Sequence, residues 1–202
     1  MNITGVILAA GTSSRMGSTN KLLLKYRNHT IIEATLQQLA HSGVDDLLIV
    51  TGFERSRIEI AVAAHLTNRI SIVHNSNYHL GRAESIKCAV RHIKGKTDAV
   101  LFMVADKPGV TSELIDRAID RYRQDQPAVL YVETPVGRGH PIIFSRALFD
   151  DLLLLNGDCV GDELVAKYRN DLVKIKDETP QIDIDNEDDY RALLIKETSQ
   201  QR

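Results

Sequence analysis

The 202-residue chain predicts an α/β fold: a three-layer α/β/α sandwich on a Rossmann-like, mostly parallel sheet. Three observations carry this expectation. Apolar, β-branched runs recur as GVILAAG, DLLIVTG, ISIVHN, AVLFMVADKP, AVLYVETP and PIIF. Segments with helical spacing lie between most of them. The runs are near-continuous rather than alternating, which is the habit of parallel strands covered on both faces.

The elements follow in order. GVILAA ends in a polar, glycine-containing loop from Gly11 to Lys21. TIIEATLQQLAHSG places Ile32, Leu36 and Leu39 on one helical stripe, and TSELIDRAIDRYRQD does the same with Leu114, Ile115, Ala118, Ile119 and Tyr122. Beyond about residue 126 the alternation loosens. Two short strands around GRGHPIIF there predict an antiparallel edge or an elaboration on the substrate side of the same sheet. No linker cuts off a second unit, so residues 1–197 are expected to form one domain and residues 198–202 a frayed tail.

Composition narrows the function. With 43% hydrophobic and 26% charged residues, the chain can bury a full core. A formal charge of −2 lacks the cationic excess that nucleic-acid partners require. Cys88 and Cys159 are too few for a disulfide framework or a zinc site and suit a reducing compartment. GVILAA is too short for a signal or membrane segment. These features together predict a cytoplasmic protein with no nucleic-acid or membrane partner.

In a doubly wound sheet, ligands bind beyond the carboxyl ends of the strands, which is where the loop after the first strand lies. Gly11 and Gly17 allow close backbone approach, Ser13 and Ser14 offer hydrogen bonds, and Arg15 and Lys21 supply positive charge. The loop is neither a Walker A motif nor G-x-G-x-x-G. Taken by itself, such a stretch reads first as a surface loop with two solvated cations.

The whole string is more particular. Leu8-Ala9-Ala10-Gly11, Ser13, Arg15-Met16-Gly17 and Lys21-Leu22-Leu23 resemble the signature loop of nucleotidyltransferases that join an NTP to a phosphorylated acceptor and release pyrophosphate. The resemblance implies a fold of the nucleotidyltransferase (GT-A-like) type. It also implies that Leu8, Ala9, Ala10 and Gly11 wrap the triphosphate, with Arg15 and Lys21 on its phosphates.

Asp106 leaves the tip of the run AVLFMVA, at the same sheet edge. A hard dication such as Mg²⁺ is commonly held by one or two carboxylates together with substrate phosphates. Asp106 would equally well begin an Asp-Lys-Pro-Gly turn. After VLFMV it resembles the D-x-P metal motif of the same enzymes, although Lys107 replaces an uncharged residue. Asp183-Ile184-Asp185 puts two carboxylates on one side of an extended segment and resembles a D-I-D stretch that completes the metal shell, with Asp185 preferred over Asp183. Asn186 or Asp185 could instead cap the last helix, with Glu187, Asp188 and Asp189 at its positive end.

Gly137-Arg138-Gly139-His140-Pro141-Ile142-Ile143-Phe144 resembles the G-H-P-V-x-F segment of molybdenum cofactor cytidylyltransferases, within the MobA-like NTP transferase family. By that resemblance Arg138, Gly139 and His140 face the acceptor, while Asn75, Gly81 and Ser85 contact base and ribose. A solvated Arg and a packed His in a hairpin are the plain alternative, and Tyr78 and His79 could equally be packing residues. In Gly157-Asp158-Cys159-Val160-Gly161-Asp162, Asp162 stands where relatives carry an arginine, which puts the molybdopterin assignment in question.

The implied activity is Mg²⁺-dependent transfer from an NTP, CTP by the L-A-A-G spelling, to a phosphorylated acceptor such as molybdopterin. The alternatives are a guanylyltransferase, a sugar- or alditol-phosphate cytidylyltransferase, and a non-catalytic nucleotide- or cofactor-binding chaperone. The resemblance also admits a molybdoenzyme partner and a homo-oligomer.

Overall fold

The computed structural model describes residues 1–13, 20–93, 95–158, 161–181 and 183–200, and only the backbone path for 162 and 196–200. The strands are β1 (Ile3–Ala9), the short β2 (Lys25–Tyr26) and β3 (His29–Thr30), β4 (Asp46–Thr51), β5 (Ile70–His74), β6 (Ala99–Val104), β7 (Val129–Thr134), β8 (Gly137–Ser145) and β9 (Leu172–Lys176). The helices are α1 (Ile31–Ala40), α2 (Arg55–Val62), α3 (Arg82–Ile93), α4 (Ser112–Asp125), α5 (Phe149–Leu154), α6 (Asp162–Lys167) and α7 (Glu187–Gln200). Among the described residues, seven strands form one sheet in the order β5-β4-β1-β6-β8-β7-β9, and β2 pairs with β3 beside it.

The sheet is parallel from β5 to β6. Its two faces separate by residue parity. Ile3, Ile7 and Ala9 of β1 pack with Leu36 and Leu39 of α1 and with Ile115 and Ile119 of α4. Val6 of the same strand packs with Ile86 and Val90 of α3 and Leu152 of α5 on the other side. Period-2 side-chain alternation in a doubly covered sheet thus produces the three expected layers. The expected stripes of α1 and α4 are the buried ones.

One expectation needs correction. The strands around GRGHPIIF, β7 and β8, are antiparallel, but β8 lies inside the sheet, antiparallel to both β6 and β7, rather than at its edge. A register shift between Tyr131 and Val132 leaves His140 and Pro141 as extra residues on β8, because Tyr131 faces Ile142 and Val132 faces Gly139. Such a bulge suits a proline, which has no N–H for a ladder, and it re-aims the neighbouring side chain. The edge is β9 instead, parallel to β7. Its sequence, LVKIK, alternates too briefly to stand out, and its lysines suit an exposed edge. At the other end of the chain, α7 runs to Gln200, so residue 197 lies within a helix.

Candidate active site

A cleft of about 900 Å³ opens over the carboxyl ends of β1 and β6. The first strand delivers Leu8, Ala10 and Gly11 to its wall, whereas Ala9 points into the opposite core. Arg15 lies outside the described residues. The chain re-enters at Asn20, whose buried side chain accepts a hydrogen bond from the Leu22 amide at 3.1 Å and so caps a single 3-10 turn, Lys21–Leu23. The Lys21 amide donates to Ser13 Oγ at 3.3 Å. With Leu22 buried, Lys21 is held facing the cleft.

Its ammonium lies 2.5 Å from Asp106 Oδ2 and 3.4 Å from Asp185 Oδ1. Asp106 is fixed from behind, because the Ala105 amide donates to Leu8 O at 3.1 Å and Thr35 Oγ donates to Ala105 O at 2.9 Å. Asp185 arrives from a remote stretch. Ile184 is fully buried in the core that contains α1 and α4, so Asp183 and Asp185 both line the cleft. The Asp185 and Asn186 amides donate to Asp189 Oδ2 at 3.0 and 3.1 Å, and the Asp189 amide returns a bond to Asn186 Oδ1 at 3.0 Å. Asn186 and Asp189 therefore cap α7, and Asp185 is left to the cleft. Asp183 pairs with Lys107 at 3.2 Å, so the unusual lysine after Asp106 neutralises the second carboxylate of the strap.

Gln181 holds the strap in place. Its Oε1 accepts from the His140 amide at 2.7 Å, and its Nε2 donates to His140 O at 2.5 Å. The side chain thereby satisfies both backbone groups of the bulged residue, as a neighbouring strand would. A Cβ on Gly139 would come within 2.8 Å of Gln181 Oε1 and 2.7 Å of Thr134 Cγ2, so glycine is required for this approach. Gly139 itself does not line the cleft.

The His140 ring lines the cleft, yet its Nδ1 is buried without a partner. Burial pushes its pKa down to about 3, reinforced by the positive charges of Lys107, Arg138 and Arg82. The ring is therefore neutral at physiological pH, and positive charge at this end of the cleft comes from the three cations around it. Arg138 also sits over the Tyr131 ring, 5.9 Å from its centroid.

The opposite wall is the start of α3. Gly81 has φ +111°, and a Cβ there would lie 2.7 Å from Gly157 O. The Ala83 amide donates to Gly157 O at 3.0 Å, and the Arg82 amide to Asp158 Oδ1 at 3.1 Å. The Gly157-Asp158 turn thus satisfies two of the free amides that open the helix. Ser85 lines the cleft, and Asn75 lies buried beneath it, donating to Ser85 Oγ at 3.0 Å. The Asp162 side chain lies outside the described residues, as does Cys159.

A family model of the MobA-like NTP transferase domain matches residues 5–172, which include Lys21, Asp106 and His140. The chain belongs to the MobA-like NTP transferase domain family. By family it is a nucleotidyltransferase. Nicotine blue oxidoreductase of Paenarthrobacter nicotinovorans is 26% identical over 200 residues, spanning 95% of this chain and 96% of that protein. The bifunctional protein GlmU of Francisella tularensis subsp. novicida is 30% identical over 142 residues; the match covers 69% of this chain and 30% of that relative's length. Rv0371c from Mycobacterium tuberculosis H37Rv superposes with a TM-score of 0.83 at 32% identity, covering 96% of this chain and 98% of that one. The structure of its manganese complex superposes with a TM-score of 0.80 at 29% identity, covering 96% and 99%. Among the described residues, no helix is long and apolar enough to cross a membrane.

Sequence reasoning missed Gln181 and Arg82. Gln181 shares its parity with Asp183 and Asp185, and extending that alternation by one step upstream would have put all three on one side of the strap. Nothing in the sequence marks Arg82, which enters the cleft because of the turn at Gly81.

Proposed function

We propose that the chain transfers a nucleotidyl group, from CTP in preference to other NTPs, to the phosphate of a small acceptor of the molybdopterin kind. The observation that carries this reading is the convergence of Lys21, Asp106 and Asp185 where the first and fourth long strands end. An acceptor phosphate oxygen attacks the α-phosphorus, the bond to the bridging oxygen breaks, and pyrophosphate leaves with the electron pair.

The donor set fits a hard divalent ion: two carboxylates from separate segments already converge on one positive charge, with all-oxygen ligands that suit Mg²⁺ or Mn²⁺. Asp106 and Asp185 would hold it, and it would supply charge neutralisation at the phosphates. Lys21, and Arg15 by resemblance, neutralise the leaving pyrophosphate. The cations about His140 bind the acceptor phosphate, and the neutral ring orients it through a hydrogen bond. CTP is favoured because Ala10 gives the first loop the spelling found in cytidylyl enzymes.

One observation favours a second reading. The end-to-end match to nicotine blue oxidoreductase supports an oxidoreductase that uses a separate redox co-substrate. Pyrophosphate release, measured with CTP, GTP, ATP and UTP in Mg²⁺ with and without phosphorylated acceptors, separates the two. Release that is greatest with CTP and requires an acceptor supports nucleotidyl transfer; no release with any pair overturns it.

A further inference from the structure

A second cluster of ligand-bearing side chains lies on a different part of the surface. His29 comes from β3, Glu33 from the first turn of α1, and His65 from the 3-10 turn Ala63–His65 that follows α2. One ligand atom from each lies within 4.8 Å of the other two, and no other such group of three or more His, Cys, Asp or Glu occurs among the described residues. None of the three lines the phosphate cleft. We propose that His29, Glu33 and His65 form a binding site for a borderline transition-metal ion of the Zn(II) class, distinct from the carboxylate site at Asp106.

The geometry supports this directly. Glu33 Oε1 is 3.2 Å from His65 Nε2. Bonds of about 2.0–2.1 Å in a tetrahedral shell set ligand-to-ligand edges of roughly 3.3–3.4 Å, so this edge is already near its bound length. The remaining edges have to close by no more than about 1.5 Å, within the reach of side-chain rotation. Glu33 is pre-oriented, since its other oxygen, Oε2, accepts from both the amide and the hydroxyl of Thr30 at 2.7 Å. That leaves Oε1 turned toward His65. The two Thr30 bonds to Glu33 are of the kind that orients a metal-ligating carboxylate. The Gln37 amide nitrogen lies 3.2 and 3.3 Å from the two ring nitrogens of His29, so an entering ion displaces this donor from the ring.

The ligand chemistry chooses the ion. Two imidazoles and one carboxylate suit Zn(II) and its neighbours, whereas Mg²⁺ prefers oxygen alone. The side chains of His65 and Glu33 are 26% and 21% exposed, which leaves an entry path and room for water as a fourth ligand. The ion would join three separate segments. One of them is the β2–β3 hairpin, which begins two residues after the turn that presents Lys21. Its role is therefore to brace the chain that follows the nucleotide loop.

The test is Zn(II) titration of the full-length protein against a chromophoric chelator, together with the visible absorption of the Co(II)-loaded protein. Wild type should take up one Zn(II) through this site, show the ligand-field bands of a four-coordinate Co(II), and melt at a higher temperature with Zn(II) than with chelator. His29→Ala and His65→Ala should each weaken that uptake by roughly 100-fold and abolish the bands, while Asp106→Asn retains both. Absence of Zn(II) uptake by wild type overturns the proposal. So does uptake that survives in both histidine variants, or uptake that is lost in Asp106→Asn.

Discussion

The two walls of the cleft are built by different means. The wall proposed for the nucleotide is held by charge at a strand end: Asp106 follows β6 directly, and Lys21, 85 residues away in sequence and presented by the 3-10 turn Lys21–Leu23, pairs with it. The wall proposed for the acceptor is held by hydrogen bonds from a side chain to backbone. His140 lies on an antiparallel strand with a bulge, and its partner Gln181 is 41 residues away on a strap that also carries Asp183 and Asp185. The nucleotide wall is therefore expected to fail through lost charge, and the acceptor wall through lost positioning.

Substitutions can break that contrast. Asp106→Asn should leave the fold intact and cost about 100-fold or more in turnover, measured as pyrophosphate release, because a neutral amide is a poor ligand for a hard dication. A folded variant with unchanged release would remove Asp106 from the chemistry. Lys21→Ala and Arg15→Ala should each weaken NTP use by roughly 10- to 100-fold, since each deletes a charge-assisted contact of about 1.5–3 kcal/mol. Gln181→Ala removes two bonds to buried backbone groups, and its signature should be different. The melting temperature should fall by roughly 4–8 °C and KM for the acceptor should rise, with KM for the NTP little changed. Equal increases in both KM values would contradict the separation of the walls.

The last comparison concerns pH. The His140 ring loses its proton near 3 in the folded state, against an ordinary value of about 6.5. Between those values the unfolded chain binds more protons, so the stability contributed by the neutral ring is complete above about pH 6.5 and is lost as pH falls toward 3. Melting temperatures of wild type and His140→Gln, compared from pH 7 down to 4.5, should show a shallower decline in the variant. Parallel curves would mean that His140 is not the titrating group.

The same contrast explains what could be read from the sequence. The parallel half of the sheet was legible because buried strands and amphipathic helices leave periodic apolar signals, as in Leu114, Ile115, Ala118, Ile119 and Tyr122. Asp106 was legible because it follows a buried strand directly, and Lys21 because the loop string that ends in it is particular. The alternation Asp183-Ile184-Asp185 was enough to expect both carboxylates on one side, and Ile184 is the buried anchor between them. The interior placement of β8 was not legible, because its first half is glycine and polar residues shaped by the cleft. The link from Gln181 to His140 was hidden for a related reason: hydrogen bonds between segments distant in sequence leave no periodic trace. Asn75, expected at the base and ribose, is buried under the cleft and donates to Ser85 Oγ.

In the proposed reaction Asp106 and Asp185 form the divalent-metal site, and in the free protein the Lys21 ammonium lies between them. Mn(II) binding without nucleotide, followed by electron paramagnetic resonance in wild type, Lys21→Ala and Asp106→Asn, tests this most directly. Removing the ammonium should tighten Mn(II) binding in Lys21→Ala even though NTP use falls, and Asp106→Asn should weaken it. Mn(II) affinity that is the same in all three proteins would contradict the account.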